Sequence, residues 1–342
     1  MRAVGLTIKR SRAPLTPRKT IAVVMLLALV LVATFLLGLS VGSVDIPLAQ
    51  VSKTLLDPGS VDASARVIVL EIRLPRVLLA VLVGAALSVA GVVFQAMLRN
   101  PLAEPYILGI SSGGTMGAIL AISFGASFSL VTTPLASFLG SALVTLLVYV
   151  LAHRRGQLDP AVLLLSGVMV GAFFNAAVLL TIAVFDQELR NALLWLMGNL
   201  GGANARQIAF LAPPILLVAI ILMTQARNYN LIATGDESAL QLGVEVRRVK
   251  RLSYFLASCI TGLVVSVSGV IGFVGLIIPH ICRIVFGPDH RLLLPAVFLT
   301  GAIFMIFADV LSRTLLSPME IPVGAVTAAI GAPLFVYLLK KT

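Results

Sequence analysis

From Ile21 to Val41 the chain carries no charged residue, and uncharged apolar runs of this kind recur through to the C-terminus. A helix needs about 20 apolar residues to cross the hydrocarbon of a bilayer. Further runs fall near residues 67–98, 106–124, 131–152, 161–185, 208–224, 249–271, 274–286, 292–312 and 323–339. Only 11% of the residues are charged and the mean hydropathy is +1.07, where a soluble domain carries about 25% charged residues. That combination excludes a soluble enzyme, a disordered chain and a secreted disulfide scaffold. The two cysteines, Cys259 and Cys282, sit in apolar surroundings and build no disulfide framework. The expected fold is therefore an all-α polytopic membrane protein of ten transmembrane helices. Residues 1–20 form a basic cytoplasmic segment and 21–342 a single membrane domain.

The net charge of +11 could point to nucleic acid, but that requires a solvated basic face. Here the basic residues occupy short gaps between apolar runs, as in a membrane protein. The first run is longer than the apolar core of a signal peptide, about 7–15 residues, and no small-x-small cleavage site closes it. It is expected to be a retained helix. With ten helices and a cytoplasmic N-terminus, the inner segments hold Arg2, Lys9, Arg10, Arg12, Arg18, Lys19, Arg99, Arg154, Arg155, Arg227, Arg247, Arg248, Lys250, Arg251, Arg283, Arg291, Lys340 and Lys341. The outer segments hold Lys53, Arg66, Arg73, Arg76, Arg190, Arg206 and Arg313. This bias follows the positive-inside rule with both termini in the cytoplasm.

Gly269, Gly272 and Gly275 followed by Pro279 predict a break and a short helix within 252–286. Ser88-Val-Ala-Gly-Val-Val-Phe94 echoes Ser266-Val-Ser-Gly-Val-Ile-Gly-Phe273, in helices of opposite direction. Inverted repeats are a transporter signature, although small and β-branched residues also match by chance.

Several clusters carry polar chemistry. Arg73-Leu-Pro-Arg76 opens the second helix at the outer face, where two arginines one turn apart form either a positive patch or a snorkelling pair. Asn100-Pro101 and Pro105 make a tight inner turn. Leu108-Gly-Ile-Ser-Ser-Gly-Gly114 is glycine-rich, yet no lysine follows as a phosphate loop requires. No ATP-binding motif occurs. The longest polar inner segment, Gln225 to Arg251, contains Thr234-Gly-Asp-Glu237, which reads as a capping box. It predicts a short cytoplasmic helix, either an ordinary solvated loop or a docking surface for a soluble partner. His280 and Cys282 point to different helix faces, and His153 and His290 are the only other histidines, so a metal site is not expected. Asp309 and Arg313 are spaced to pair on one helix face, as a functional intramembrane charge or as a helix-end pair.

In this order, RLPR, GAALSVAGVVFQ, RNPLAEPYILG, Trp195-Leu-Met-Gly198, GDESALQLGV, GFVGLIIPHICR, ADVLSR and Pro322-Val-Gly-Ala-Val-Thr-Ala-Ala-Ile-Gly-Ala-Pro333 resemble the FecCD/BtuC family, the permease subunits of bacterial ABC importers for ferric siderophores, haem and vitamin B12. The motifs span roughly four-fifths of the chain, from Arg73 to near the C-terminus. The resemblance implies a ten-helix, BtuC-like type II importer permease, paired with a second permease copy to form a homodimer. Two ATPase subunits lie beneath it, and a periplasmic or lipid-anchored binding protein docks above. No cofactor is implied for this chain, since ATP and Mg belong to the ATPases, and no nucleic acid is implied as a partner. By the same resemblance Thr234, Gly235, Asp236, Glu237, Leu242 and Gly243, within a segment of about 228–246, couple to the ATPase. Arg73, Arg76 and Arg313 meet acidic residues of the binding protein. Asn100 and Leu102 match a cytoplasmic gate, and Pro160 and Ala161 lie at the other gate, where the family can show small hydroxyl residues. The rival class is an ion-coupled secondary transporter, which usually needs ionisable residues deep in the bundle. Asp309 is the one candidate the sequence offers for that role.

Overall fold

In lipid every backbone N–H and C=O has to be satisfied within the protein, which leaves helices as the natural form for apolar runs of this length. The computed structural model describes residues 16–125, 131–154, 157–185 and 195–341. Arg2, Lys9, Arg10, Arg12, Arg155 and Arg190 lie outside the described residues, as does most of the basic N-terminal segment.

Each of the ten apolar runs coincides with a helix. Seven helices, counted among the described residues, are long and apolar enough to cross a membrane. They are α1 (Pro17–Ser40), the continuous run Ala63–Leu98, α6 (Thr132–Ala152), α7 (Pro160–Val184), α8 (Ala205–Thr224), α11 (Val246–Ser268) and α13 (His290–Thr314). Three apolar helices are shorter: α5 (Ile110–Ser123), α12 (Val274–Phe286) and α14 (Val323–Lys341). The remaining helices are α2 (Leu48–Leu56), α9 (Ala226–Thr234) and α10 (Asp236–Gln241), with a single turn at Pro58–Ser60. His153–Arg154 and Gln157–Leu158 form a minimal antiparallel ladder, with His153 opposite Leu158, between α6 and α7.

The run Ala63–Leu98 corrects one expectation. Arg73-Leu-Pro-Arg76 does not open a helix. The helix begins at α3 (Ala63–Arg66), widens to π-helical form over Val67–Arg73 and continues as α4 (Leu74–Leu98). Pro75 has no N–H to donate and its ring would strike the carbonyl four residues back. A widened turn just before it accommodates that loss, and the N–H of Leu74 reaches Val69 O.

α4 is the central helix: 89% of its apolar window is buried, against 6% for the peripheral α1. Close approach there depends on glycine. A Cβ on Gly84 would lie 2.1 Å from Gly301 O of α13, and one on Gly91 would lie 1.9 Å from Gly275 O of α12. Helix association in membranes rests on such small-residue contacts. α1 and α4 pack on α13, whereas α5 packs on α6 and α7, and α11 touches both α4 and α6. Tyr254 of α11 is fully buried at this junction. Its hydroxyl donates to Thr145 O of α6 at 2.9 Å, and its ring meets Phe94 of α4 edge-on at 6.3 Å between centroids.

The break predicted within 252–286 is present, between Ser268 and Val274. α11 ends at Ser268, Gly269 has φ +67° and Phe273 has φ +69° before α12 begins. The sequence echo has no structural counterpart, because Ser88–Phe94 lies inside one continuous helix while Ser266–Phe273 spans a helix end and this break.

Candidate functional site

The polar segment expected at the inner end folds as two short helices, α9 and α10, separated by Gly235. Its φ of +131° is a conformation that side-chain-bearing residues rarely adopt. The expected capping box does not form. Thr234 Oγ1 donates backward to Leu231 O at 2.7 Å, and the N-cap of α10 is Gly235, which has no side chain to cap with. Asp236 and Glu237 nevertheless lie in the first turn of α10, where negative charge is favourable. Asp236 Oδ2 accepts from Lys250 Nζ at 2.6 Å, and the Lys250 side chain is 6% exposed. The ion pair therefore fastens α10 to the first turns of α11. Ala239 is the buried contact of α10, while Leu240 and Leu242 are exposed by 55% and 65%. Gly243, with φ +85°, turns the chain toward α11. The result is a short element with an apolar outer edge and a firmly tethered inner one.

Two clefts flank this element. One of about 560 Å³ is lined by Gln95, Arg99, Asn100 and Pro101 on one side and by Asn230, Thr234, Arg283, Asp289 and His290 on the other. It brings the expected gate residue Asn100 and the expected coupling residue Thr234 to a single space. Arg99 reaches to 4.0 Å from where a Cβ on Gly235 would stand. The far wall is braced: Asn230 Nδ2 donates to Asp289 Oδ1 at 2.8 Å, and the His290 N–H donates to Asn230 Oδ1 at 2.9 Å. The Arg291 guanidinium, with help from Asn230, holds the Asp289 carboxyl well below the usual carboxylate range. The other cleft, of about 710 Å³, lies between Asp236, Leu240 and the basic start of α11 on one side and Tyr149, His153 and Leu158 on the other.

The two turns expected at the gate are both built by side-chain capping. Arg99 ends α4 in the left-handed region, and Asn100 Oδ1 accepts from the Leu102 N–H at 2.9 Å, an Asx turn. Leu102 is 43% exposed. At the other turn, Asp159 caps α7 by accepting from the N–H groups of Ala161 and Val162, at 2.9 and 3.2 Å, with Pro160 at the first helical position.

At the outer end the three arginines are placed differently from an exposed patch. Arg73, Arg76 and Arg313 are each buried, with 3–5% of their surface exposed. Arg73 donates to the carbonyls of Leu39 and Ser40 at 2.8 and 2.7 Å, and to that of Val44. Arg76 Nε donates to Asp309 Oδ1 at 2.8 Å, and its Nη1 meets the partly exposed Glu320. Arg313 Nε lies 3.1 Å from Asp309 Oδ2, and its terminal nitrogens reach the carbonyls of Val41 and Gly38. Neither snorkelling nor an open patch describes them. They tie the end of α1, α4, α13 and the 315–322 loop into one knot.

Sequence reasoning missed Glu320 and Lys250 as partners in these networks, and it missed Glu104. Glu104 is 7% exposed and its Oε1 accepts from the Phe273 N–H at 2.5 Å. The signal that could have found it was an acid between Pro101 and Pro105 with no basic residue at helical spacing in the following apolar run. Among the described residues no three His, Cys, Asp or Glu side chains converge as a metal site would require.

The model of the FecCD transport family matches residues 29–341. The chain is 43% identical over 280 residues to the cobalamin import system permease protein of Halobacterium salinarum, covering 82% of this chain and 75% of that one. It is 42% identical over 309 residues to the hemin transport system permease protein of Yersinia pestis, covering 89% and 92%. It also superposes with a TM-score of 0.83 and 34% identity on an inward-facing structure assigned to the metal-chelate type of ABC transporter, over 94% of this chain and 99% of that one.

Proposed function

The chain belongs to the FecCD transport family, and from that membership we propose that it is the membrane-spanning permease subunit of an ABC importer for a metal chelate: a ferric siderophore, haem or cobalamin. Its relatives transport haem and cobalamin by name. The chain would cross the inner membrane ten times, the three shorter apolar helices included, with both ends in the cytoplasm. Two copies would pair around a pathway, with two ATPases below and a binding protein above. ATP and Mg would be held by the ATPases.

The observation that carries this reading is the inner element from Thr234 to Gly243. Its exposed leucines offer a partner an apolar edge, and the Asp236–Lys250 pair passes any push on α10 into α11. Thr234, Gly235, Asp236, Glu237, Leu242 and Gly243 are the coupling residues in this mechanism. The clefts on either side lead to the turns at Asn100–Leu102 and Pro160–Ala161, which act as the inner gate. At the outer end Arg73, Arg76 and Arg313 form the buried base of the docking face, with Glu320 its accessible rim. A docking protein reads the charge balance of that rim.

An ion-coupled secondary transporter would need a deep carboxylate free to exchange its ion. Asp309 is engaged by both Arg76 and Arg313, which speaks against that class.

The test is reconstitution of the chain with its ATPase and binding protein in proteoliposomes. Labelled iron-siderophore, haem and cobalamin are offered in parallel. Accumulation of one of them only with ATP on the cytoplasmic side is the expected result. Uptake that survives ATP depletion but collapses with an uncoupler would refute the importer.

A further inference from the structure

α12 is only 13 residues long, about 20 Å, against the roughly 30 Å of hydrocarbon a full span must cross. Its C-terminal end adjoins Asp289 and the inner cleft. Its N-terminus, at Phe273, therefore sits at depth, where irregular backbone persists only if the surrounding protein satisfies it. Phe273 has φ +69° and supplies no side-chain cap. The acceptor for its N–H comes from a distant part of the chain, the Glu104 carboxylate at 2.5 Å. In a capping box a glutamate of the same helix reaches back to the N-cap N–H. Here the same bond is made across 169 positions.

The turn that carries Glu104 is the one at Asn100–Leu102. It leaves the end of α4, closes through Ala103 N–H to Asn100 O at 3.1 Å, and brings Glu104 and Pro105 against the start of α12. Ala103 is 1% exposed. Pro105 presses on the same helix, its Cδ 2.9 Å from where a Cβ on Gly275 would stand. The turn is thus held against α12 by Glu104 and Pro105. The Glu104 side chain accepts this N–H away from water, where leaving the donor unpaired is costly.

We propose that Glu104 is the positioning residue that locks the Asn100–Leu102 turn to the first turn of α12, so that the two move as one unit. This rests on the gate reading given above. Breaking the lock frees the turn to open without the rest of the bundle, and ATP hydrolysis then runs without productive transport.

The experiment uses the full importer carrying Glu104→Ala, Glu104→Asp or Glu104→Gln, each with and without Ala103→Cys. Two quantities are read: substrate moved per ATP hydrolysed, and the labelling rate of residue 103 by a membrane-impermeant maleimide from the cytoplasmic side. Gln keeps an acceptor at the same reach, and Asp keeps the carboxyl group but falls short by one methylene. The expected order of labelling is Ala, then Asp, then Gln close to the parent, with Ala about tenfold above the parent, as befits a buried N–H left without its acceptor. Transport per ATP falls in the same order. If Glu104→Ala does not assemble, the Asp and Gln variants decide the matter. Parent-like labelling and stoichiometry in Glu104→Ala, or in Glu104→Asp where Ala does not assemble, would overturn the lock. A parent complex with no ATP-driven uptake, but with the labelling order intact, would sink the importer reading and leave the lock standing.

Discussion

Arg76 and Asp309 lie 233 positions apart in the chain and 2.8 Å apart at Nε and Oδ1. Arg313 approaches the second oxygen of the same carboxylate at 3.1 Å. One fully buried acid thus serves two buried arginines, with Glu320 adding a second carboxylate to Arg76. Removing one partner of a buried pair costs about 3–5 kcal/mol, mostly through the charge left behind. Asp309→Ala should therefore lower the unfolding midpoint of the detergent-solubilised protein sharply, and Asp309→Asn less. Glu320→Gln, at a half-exposed site, should cost about 1 kcal/mol or less. Equal losses in Asp309→Ala and Glu320→Gln would contradict the shared-carboxylate arrangement.

In the proposed mechanism the Asp236–Lys250 pair carries motion from α10 to α11. Asp236→Asn or Lys250→Met should leave ATP hydrolysis by the assembled complex near its parent rate and reduce uptake by about fivefold or more, since contacting residues in one ion pair couple by about 0.5–3 kcal/mol. The exchanged double variant, Asp236→Lys with Lys250→Asp, should recover part of that uptake. Parallel assays of hydrolysis and uptake check this, and unaltered transport in both single variants would remove the pair from the mechanism.

The contact between α4 and α12 leaves no room for a side chain. Gly91→Ala puts a methyl 1.9 Å from Gly275 O before any relaxation. The helices must separate, at about 1–3 kcal/mol for overpacking, and Gly91→Val should cost more. A methyl group on Gly202 would meet nothing within 4 Å, and its φ is not positive, so Gly202→Ala is the matched control. Fluorescence-detected size exclusion after a heating series reads both, and equal survival of Gly91→Val and Gly202→Ala would count against the close crossing.

The ten crossings proposed for the chain would put residues 53 and 341 on opposite sides of the membrane. Lys341→Cys should react with an impermeant maleimide only from the cytoplasm, and Lys53→Cys, which is exposed in α2, only from the periplasm. Periplasmic labelling at residue 341 would mean an odd number of crossings.

The helices themselves were legible in the sequence because an uncharged run of span length has few other fates. The break after Ser268 was legible too, since closely spaced glycines weaken a helix, although Gly275 and Pro279 are accommodated inside α12. Side-chain direction was not. α4 is apolar around nearly its whole circumference, so periodicity says nothing about which way Arg73 and Arg76 point. Their partners, Leu39, Asp309 and Glu320, come from elements far away in the chain. Glu104 was hidden for the same reason, its partner being a backbone N–H that only the fold brings near. The capping box at Thr234 failed on a local ground: the hydroxyl finds the carbonyl of Leu231 within its own helix before it can reach forward.

Tyr254 gives the bundle a seam. On one side stand α1, α4 and α13, knotted together at the outer end by the arginines, and on the other stand α5, α6 and α7. α11 runs between the two blocks, with the Tyr254 ring against Phe94 and its hydroxyl on Thr145. It is also the helix whose first turns carry Lys250, the tether of α10. In the proposed mechanism, a push on α10 would therefore enter through Lys250 along the join between the two blocks.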